Sequence, residues 1–173
     1  MPVVYTIGHS THPIDEFLLI LKTYSINLLT DIRTVPRSRH NPQYEQAEFR
    51  KSLQRQNIDY VHMPSLGGLR HARKDSVNTG WKNASFRGYA DYMQTQEFAV
   101  AIDELVALAE KSKTAIMCAE AVPWRCHRSL VSDALLIRGL EVIDLLSGTN
   151  AKPHKITPLA VIQGQQITYP SGS

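Results

Sequence analysis

The sequence predicts an α/β protein: a single domain with a mostly parallel five-stranded sheet, helices on both faces and a short C-terminal β extension. Two observations carry this. Short β-prone runs alternate with segments of helical period, and that alternation gives parallel strands joined by crossover helices. The 173 residues, 43% hydrophobic and 20% charged, suit one domain with a full core.

The elements follow in order. "VVYTIG" (3–8) reads as a buried first strand ending in glycine. In "HSTHPIDEFLLILKTY" (9–24), Ser10 or Thr11 is expected to cap a helix and Pro13 to take its first position. Asp15 and Glu16 suit its positive end, and Phe17, Leu18, Leu21 and Tyr24 repeat at helical spacing. "INLLTDIR" (26–33) is the second strand. "QAEFRKSLQRQ" (46–56) is a helix with Phe49 and Leu53 on its apolar side, and "DYVHMP" (59–64) is the third strand. From 65 to 85 no periodicity appears, which predicts a long functional or mobile loop. "FRGYADYMQ" (86–94) reads as a short helix. The run 95–112 reads as a long one, capped by Thr95, with Phe98, Ile102, Leu105 and Leu108–Ala109 on one face. "TAIMCA" (114–119) is the fourth strand, 126–139 a helix ended by Gly139, and "EVIDLL" (141–146) the fifth strand. The tail (155–170) predicts two short strands around Gly164.

Two cysteines exclude a disulfide framework, no apolar stretch is long enough for a bilayer, and the N-terminus lacks a signal-peptide pattern. A cytoplasmic location without membrane contact is therefore expected. The net charge of +3 gives a mild preference for anionic ligands. The positive charge is clustered in "RTVPRSRH" (33–40) and "LRHARK" (69–74), runs that are more often solvated loops than binding sites.

In parallel sheets, ligands bind beyond the carboxyl ends of the strands. Those ends carry Gly8-His9-Ser10, then Asp31 and Arg33 with Arg37 beyond, then His62 followed by Gly67-Gly68, and then "CAEAVPWRCHR" (118–128). The opposite ends begin with an ordinary solvated set. Asp31 and Arg33, two apart on a strand, share a face, either as a structural ion pair or with Asp31 orienting Arg33 toward a ligand. The last motif sets Arg125, His127 and Arg128 at a helix N-terminus, where acids are normally favoured. Something negative should offset them: Glu120, Asp31, a thiolate or a bound anion. Cys126, at the helix start, is expected to have its thiol pKa lowered by the dipole and the arginines. Cys118 ends a strand facing the same loop. Cys118 to Arg125 is one residue longer than the phosphatase spacing Cys-x5-Arg, so that motif fails, and a small apolar filler remains the commonest role of a buried cysteine. Gly67 and Gly68 read equally as simple turn formers, and Tyr89, Tyr92, Trp81 and Phe86 either stack on a base or cover the core.

The motifs "YTIGHS", "DIRTVPRSRHNPQY", "SLGGLR", "YADYM" and "CAEAVPWRCHR", in this order, resemble the bacterial and archaeal domain-of-unknown-function family numbered 488. The resemblance covers about residues 5–145 and leaves 146–173 as the C-terminal extension. It implies a single α/β domain and supplies no reaction or substrate.

The residues point first to a domain that binds a small anion, phosphate-bearing or a nucleotide, with catalysis left open. His9, Ser10, Asp31, Arg33, Arg37, Gly67, Gly68 and Arg128 are its candidate binding residues. Glu120 or His127 is the candidate acid or base, and Cys118 or Cys126 the candidate nucleophile. A nucleic-acid module using 33–40 and 69–74 is the second expectation. The third is a metal or thiol redox site at Cys118, Cys126 and His127, for which "C-x7-C-H" is a weak match. The sequence names no cofactor, strand order or oligomeric state.

Overall fold

A computed structural model describes residues 2–172. Its main sheet has six strands in the order β3-β2-β4-β1-β5-β6. The first five, β1 (Val3–Gly8), β2 (Leu28–Asp31), β3 (Asp59–His62), β4 (Thr114–Cys118) and β5 (Glu141–Leu145), run parallel. The sixth corrects the expected five: β6 (Ala151–Pro153) pairs antiparallel with β5, with Ile143 opposite Pro153. Its three residues are exposed and give no periodic signal. The expected tail hairpin is present as β7 (Val161–Gln163) and β8 (Gln166–Thr168), turning at Gly164 with φ +63°.

Helices cover both faces. The α1 (Ile14–Thr23) and α2 (Gln46–Gln54) helices put Phe17, Leu21, Phe49 and Leu53 over Ile7, Leu29, Ala115 and Met117. On the other face, α3 (Ala84–Tyr92), α4 (Gln96–Lys111) and α5 (Arg128–Ile137) pack Tyr89, Ile102, Leu105, Leu130 and Val131 against Val4, Ile116 and Val142. The period-two alternation of β4 thus sends Cys118 with Ile116 toward α3–α5. Thr95 caps α4 as its sequence predicts, its Oγ1 accepting from the Phe98 N–H at 3.2 Å. Gly139 follows α5 at φ +87°.

Several boundaries depart from the sequence reading. Ser10 and Thr11 do not cap α1. Ser10 sits at φ +46° with its N–H on the Ala119 carbonyl, and Pro13 is the N-cap, without a side-chain bond. Strand β2 stops at Asp31, so Arg33 lies in the following turn rather than on the strand. A 3-10 turn, Pro123–Arg125, precedes α5, so Cys126 stands in extended backbone just ahead of the helix and His127 is its N-cap.

Residues 67–83 hold no helix or strand, yet they are pinned. Buried Asp91 of α3 accepts from the Arg73 N–H at 2.8 Å and the Asn78 Nδ2 at 2.7 Å, and also from the Ser76 hydroxyl. The C-terminal extension is fastened in the same manner. Asp133 of α5 accepts from the Tyr169 hydroxyl at 2.8 Å and pairs with His154 at 2.8 Å, while Tyr169 and Ile167 sink into the core.

The topology positions a crevice. The chain leaves β1 and β2 for helices on one face and leaves β4, which lies between them, for α5 on the other. Loops diverging from neighbouring strands open a gap beyond their carboxyl ends.

Candidate functional site

The gap is a cavity of about 560 Å³ whose wall includes Arg33, Arg37, Gly68, Cys118, Glu120, Arg125, Cys126 and His127. These come from the ends of β2 and β4, from the 3-10 turn before α5 and from the loop after β3. Thr34, Val35, Leu69, Asn83, Ser85, Phe86, Tyr89 and Ala119 complete it. Of the other expected residues, His9, Asp31 and Arg128 are buried and lie outside the wall. Ser10 and Gly67 do not line it either.

Two close backbone approaches build the cleft. A Cβ on Gly8 would stand 1.6 Å from the Glu120 carbonyl oxygen, so only glycine lets the 119–121 loop cross the end of β1. A Cβ on Gly67 would stand 2.4 Å from Thr34 Oγ1, so this glycine presses the long loop onto the turn after β2. Thr34 then donates to the Gly68 carbonyl at 3.1 Å.

Arg33 is committed to its neighbours. Its Nε and Nη2 donate to the two Asp31 carboxylate oxygens at 2.9 and 2.8 Å, and Tyr60 donates to the same carboxylate at 2.7 Å. Asp31 is fully buried, so this fork neutralises a charge that water cannot reach. Arg33 Nη1 faces His9 Nε2 at 3.5 Å. His9 Nδ1 lies 2.9 Å from the Ser10 carbonyl, which can only accept, so Nδ1 carries the proton and Nε2 is an acceptor. Burial, with the Arg33 charge adding to it, pushes the His9 pKa down to about 4, and its ring stacks on Tyr44 at 4.3 Å. His9 is therefore neutral at physiological pH. Tyr60 and Tyr44 are absent from the sequence reading, because their roles depend on strand order and on the fold of the turn at 42–44.

The cations ahead of α5 resolve differently. Arg125 is exposed and lines the cleft. Burial pushes the His127 pKa down to about 4, so this N-cap is neutral. Its Nε2 faces the Ile32 carbonyl at 3.2 Å, which assigns the proton to Nε2 and leaves Nδ1 as an acceptor 3.5 Å from the Cys126 sulfur. Arg128 is the exception. It is fully buried, its Nη2 donates to the Ala121 carbonyl at 3.4 Å, and its Nε and Nη1 have no partner among the described residues. Among the described residues no carboxylate lies within salt-bridge distance of it.

The Arg128 charge acts on both buried thiols. Burial pushes both thiols up, but at Cys118 it is more than offset by the Cys126 thiol within hydrogen-bonding reach and by the Arg128 charge, and its pKa falls. Burial and the neighbouring Cys118 sulfur push Cys126 well up. This reverses the expectation for Cys126: the Arg128 N–H at 3.4 Å from its sulfur and the Arg128 charge do lower the thiol, but burial and the neighbouring Cys118 outweigh them. The next two N–H groups of α5 bond to the Cys126 and His127 carbonyls. The α5 N-terminus thus offers no free first-turn donors to an anion.

The family model for the domain of unknown function DUF488 matches residues 13–135, more than half of the chain. The chain belongs to the DUF488 family. No curated protein and no solved structure matches it. The family label brings no reaction to this DUF488 domain, so its chemistry rests on the geometry above.

Three of the six Arg and Lys side chains in the basic loops are engaged. Arg70 lies 3.6 Å over the Tyr92 ring and donates to the Gly67 and Ser65 carbonyls, and Arg73 pairs with Asp75 at 3.0 Å. Tyr92 and Tyr89 are buried, and Trp81 stacks on Phe86. Among the described residues no group of three or more His, Cys, Asp or Glu is placed to hold a metal ion. No helix among them is long and apolar enough to cross a membrane.

Proposed function

We propose that the cleft binds a small anionic molecule, phosphate-bearing or a nucleotide, and presents Cys118 to it as a nucleophile. The observation that carries this reading is the charge imbalance around the cavity. Arg33 is neutralised by Asp31, which leaves Arg37 and Arg125 in the wall and Arg128 behind it, against Glu120 as the one carboxylate of the wall. Unpaired guanidiniums in a concave site favour an oxyanion.

The apolar side of the wall supports a ligand larger than bare phosphate. Val35 and Leu69 are 45% and 81% exposed at its rim, and Phe86 and Tyr89 lie deeper. An aromatic or aliphatic portion covers such surface, as a nucleobase does. Glu120, exposed and close to Cys118 in sequence, is the acid–base group of this reading. His127 is a poor proton carrier near neutrality, because it is neutral and its free nitrogen faces Cys126.

A small ligand is favoured over nucleic acid. Strand tracking needs cations free to meet successive phosphates, and in the two basic runs Arg33, Arg70 and Arg73 are already engaged.

Thermal melting with inorganic phosphate and with nucleoside monophosphates tests the proposal. A ligand at a hundred times its Kd stabilises by about 2.7 kcal/mol, or roughly 5–10 °C for a chain of this size. Replacing Arg37 and Arg125 together by alanine should abolish the shift. A flat response across the anion panel would refute the reading.

A further inference from the structure

The two cysteines carry a chemistry of their own. Both line the same cavity, both are free, and they sit eight residues apart on either side of the 119–125 loop. The Cys126 sulfur is held from two sides, by the Arg128 N–H at 3.4 Å and by His127 Nδ1 at 3.5 Å. Cys118 has the Arg128 guanidinium near it, and two nitrogens of that group lack any protein acceptor.

We infer that Cys118 and Cys126 are a reactive dithiol that small hydroperoxides oxidise to an intramolecular disulfide, with Cys118 the attacking sulfur and Cys126 the resolving one. The inference goes beyond anion binding and does not require an anion to be bound. Size selects the oxidant: Cys118 is only 2% exposed, so a protein or peptide disulfide cannot approach its sulfur, whereas a hydroperoxide enters the cavity.

The steps balance. The Cys118 thiolate attacks the terminal oxygen of the hydroperoxide; an S–O bond forms, the O–O bond breaks, and Cys118 becomes a sulfenic acid as an alkoxide departs. The alkoxide takes the Cys126 proton and leaves as an alcohol. The Cys126 thiolate then attacks the Cys118 sulfur; the S–S bond forms, the S–O bond breaks, and hydroxide leaves to be protonated by solvent. Two electrons pass from the two sulfurs to the O–O bond, and a thiol reductant reverses the change. The bond joins the end of β4 to the residue just ahead of α5 and closes the 119–125 loop.

The test is intact-mass and peptide-mass measurement on the full chain after one equivalent of hydrogen peroxide. The expected product is lighter by two hydrogens, with a Cys118–Cys126 cross-linked peptide that dithiothreitol reverses. In Cys126→Ser the reaction should stop at a Cys118 sulfenate that a cyclic 1,3-dione captures; in Cys118→Ser, thiol loss should be at least about tenfold slower, the factor that one unit of thiol pKa makes in thiolate fraction. Wild-type protein that keeps both thiols, or a Cys118→Ser variant that reacts as fast at Cys126, would overturn the inference. Because the wild-type chain is itself a test, a variant that fails to fold leaves the result decisive. The mass readout is independent of ligand-induced melting shifts, so this proposal and anion binding fail separately.

Discussion

Replacing Arg128 by methionine separates a functional guanidinium from a merely structural one. The side chain is fully buried, two of its nitrogens are unpartnered, and its charge faces Cys118, itself 2% exposed. Losing this charge removes an electrostatic stabilisation of the Cys118 thiolate, so the alkylation rate of Cys118 at neutral pH should fall by about tenfold for each unit by which the thiol pKa rises. Stability should move the other way or not at all. Among the described residues Arg128 meets no carboxylate, so its removal strands no charged partner, and the variant also removes a cation from the positive end of α5. The assay is iodoacetamide labelling across pH, read at the Cys118 peptide, beside a melting curve. An unchanged labelling profile together with a sharp drop in melting temperature would refute the pairing of Arg128 with a thiolate.

Three other outcomes follow from the same geometry. Asp31→Asn leaves Arg33 buried with half its fork, and should cost about 3–5 kcal/mol in a denaturant titration, as breaking a buried pair does; a loss below about 1 kcal/mol would contradict the pairing. Gly8→Ala drives a methyl into the Glu120 carbonyl and should cost about 1–3 kcal/mol, with a changed Cys118 labelling rate; equal stability and labelling would show that the 119–121 loop does not depend on that contact. Burial alone would push His154 down, but Asp133 and Asp144 more than reverse it and raise its pKa to about 9. The folded value lies above the unfolded 6.5, so the stabilisation is complete below pH 6.5 and is lost as pH rises through 9. Discounted for partial solvent contact, it amounts to about 1–2 kcal/mol. Hydrogen exchange of residues 151–169 should quicken over that range beyond the intrinsic rise, and His154→Asn should remove the extra dependence.

Much of the fold is legible in the sequence because periodicity and caps are local. The Phe98–Ile102–Leu105–Ala109 face and the Thr95 cap of α4 are present as read. The β6 strand is not legible, since three exposed residues pair only because β5 is already there to receive them. The site is legible as a set of strand ends, and most of the expected residues meet around one cavity. Their electrostatics are not. Whether Arg33 or Arg128 is the uncompensated cation depends on which carboxylate each meets, and the inversion between Cys118 and Cys126 depends on which sulfur receives a hydrogen bond. Both are long-range facts of packing.

The most direct test of the anion-binding cleft is a crystal grown with tungstate, a heavy tetrahedral oxyanion. The account predicts the ion in the cavity beside Cys118, within hydrogen-bonding distance of Arg37 or Arg125. An empty cavity in a crystal that holds tungstate elsewhere on the protein would contradict it.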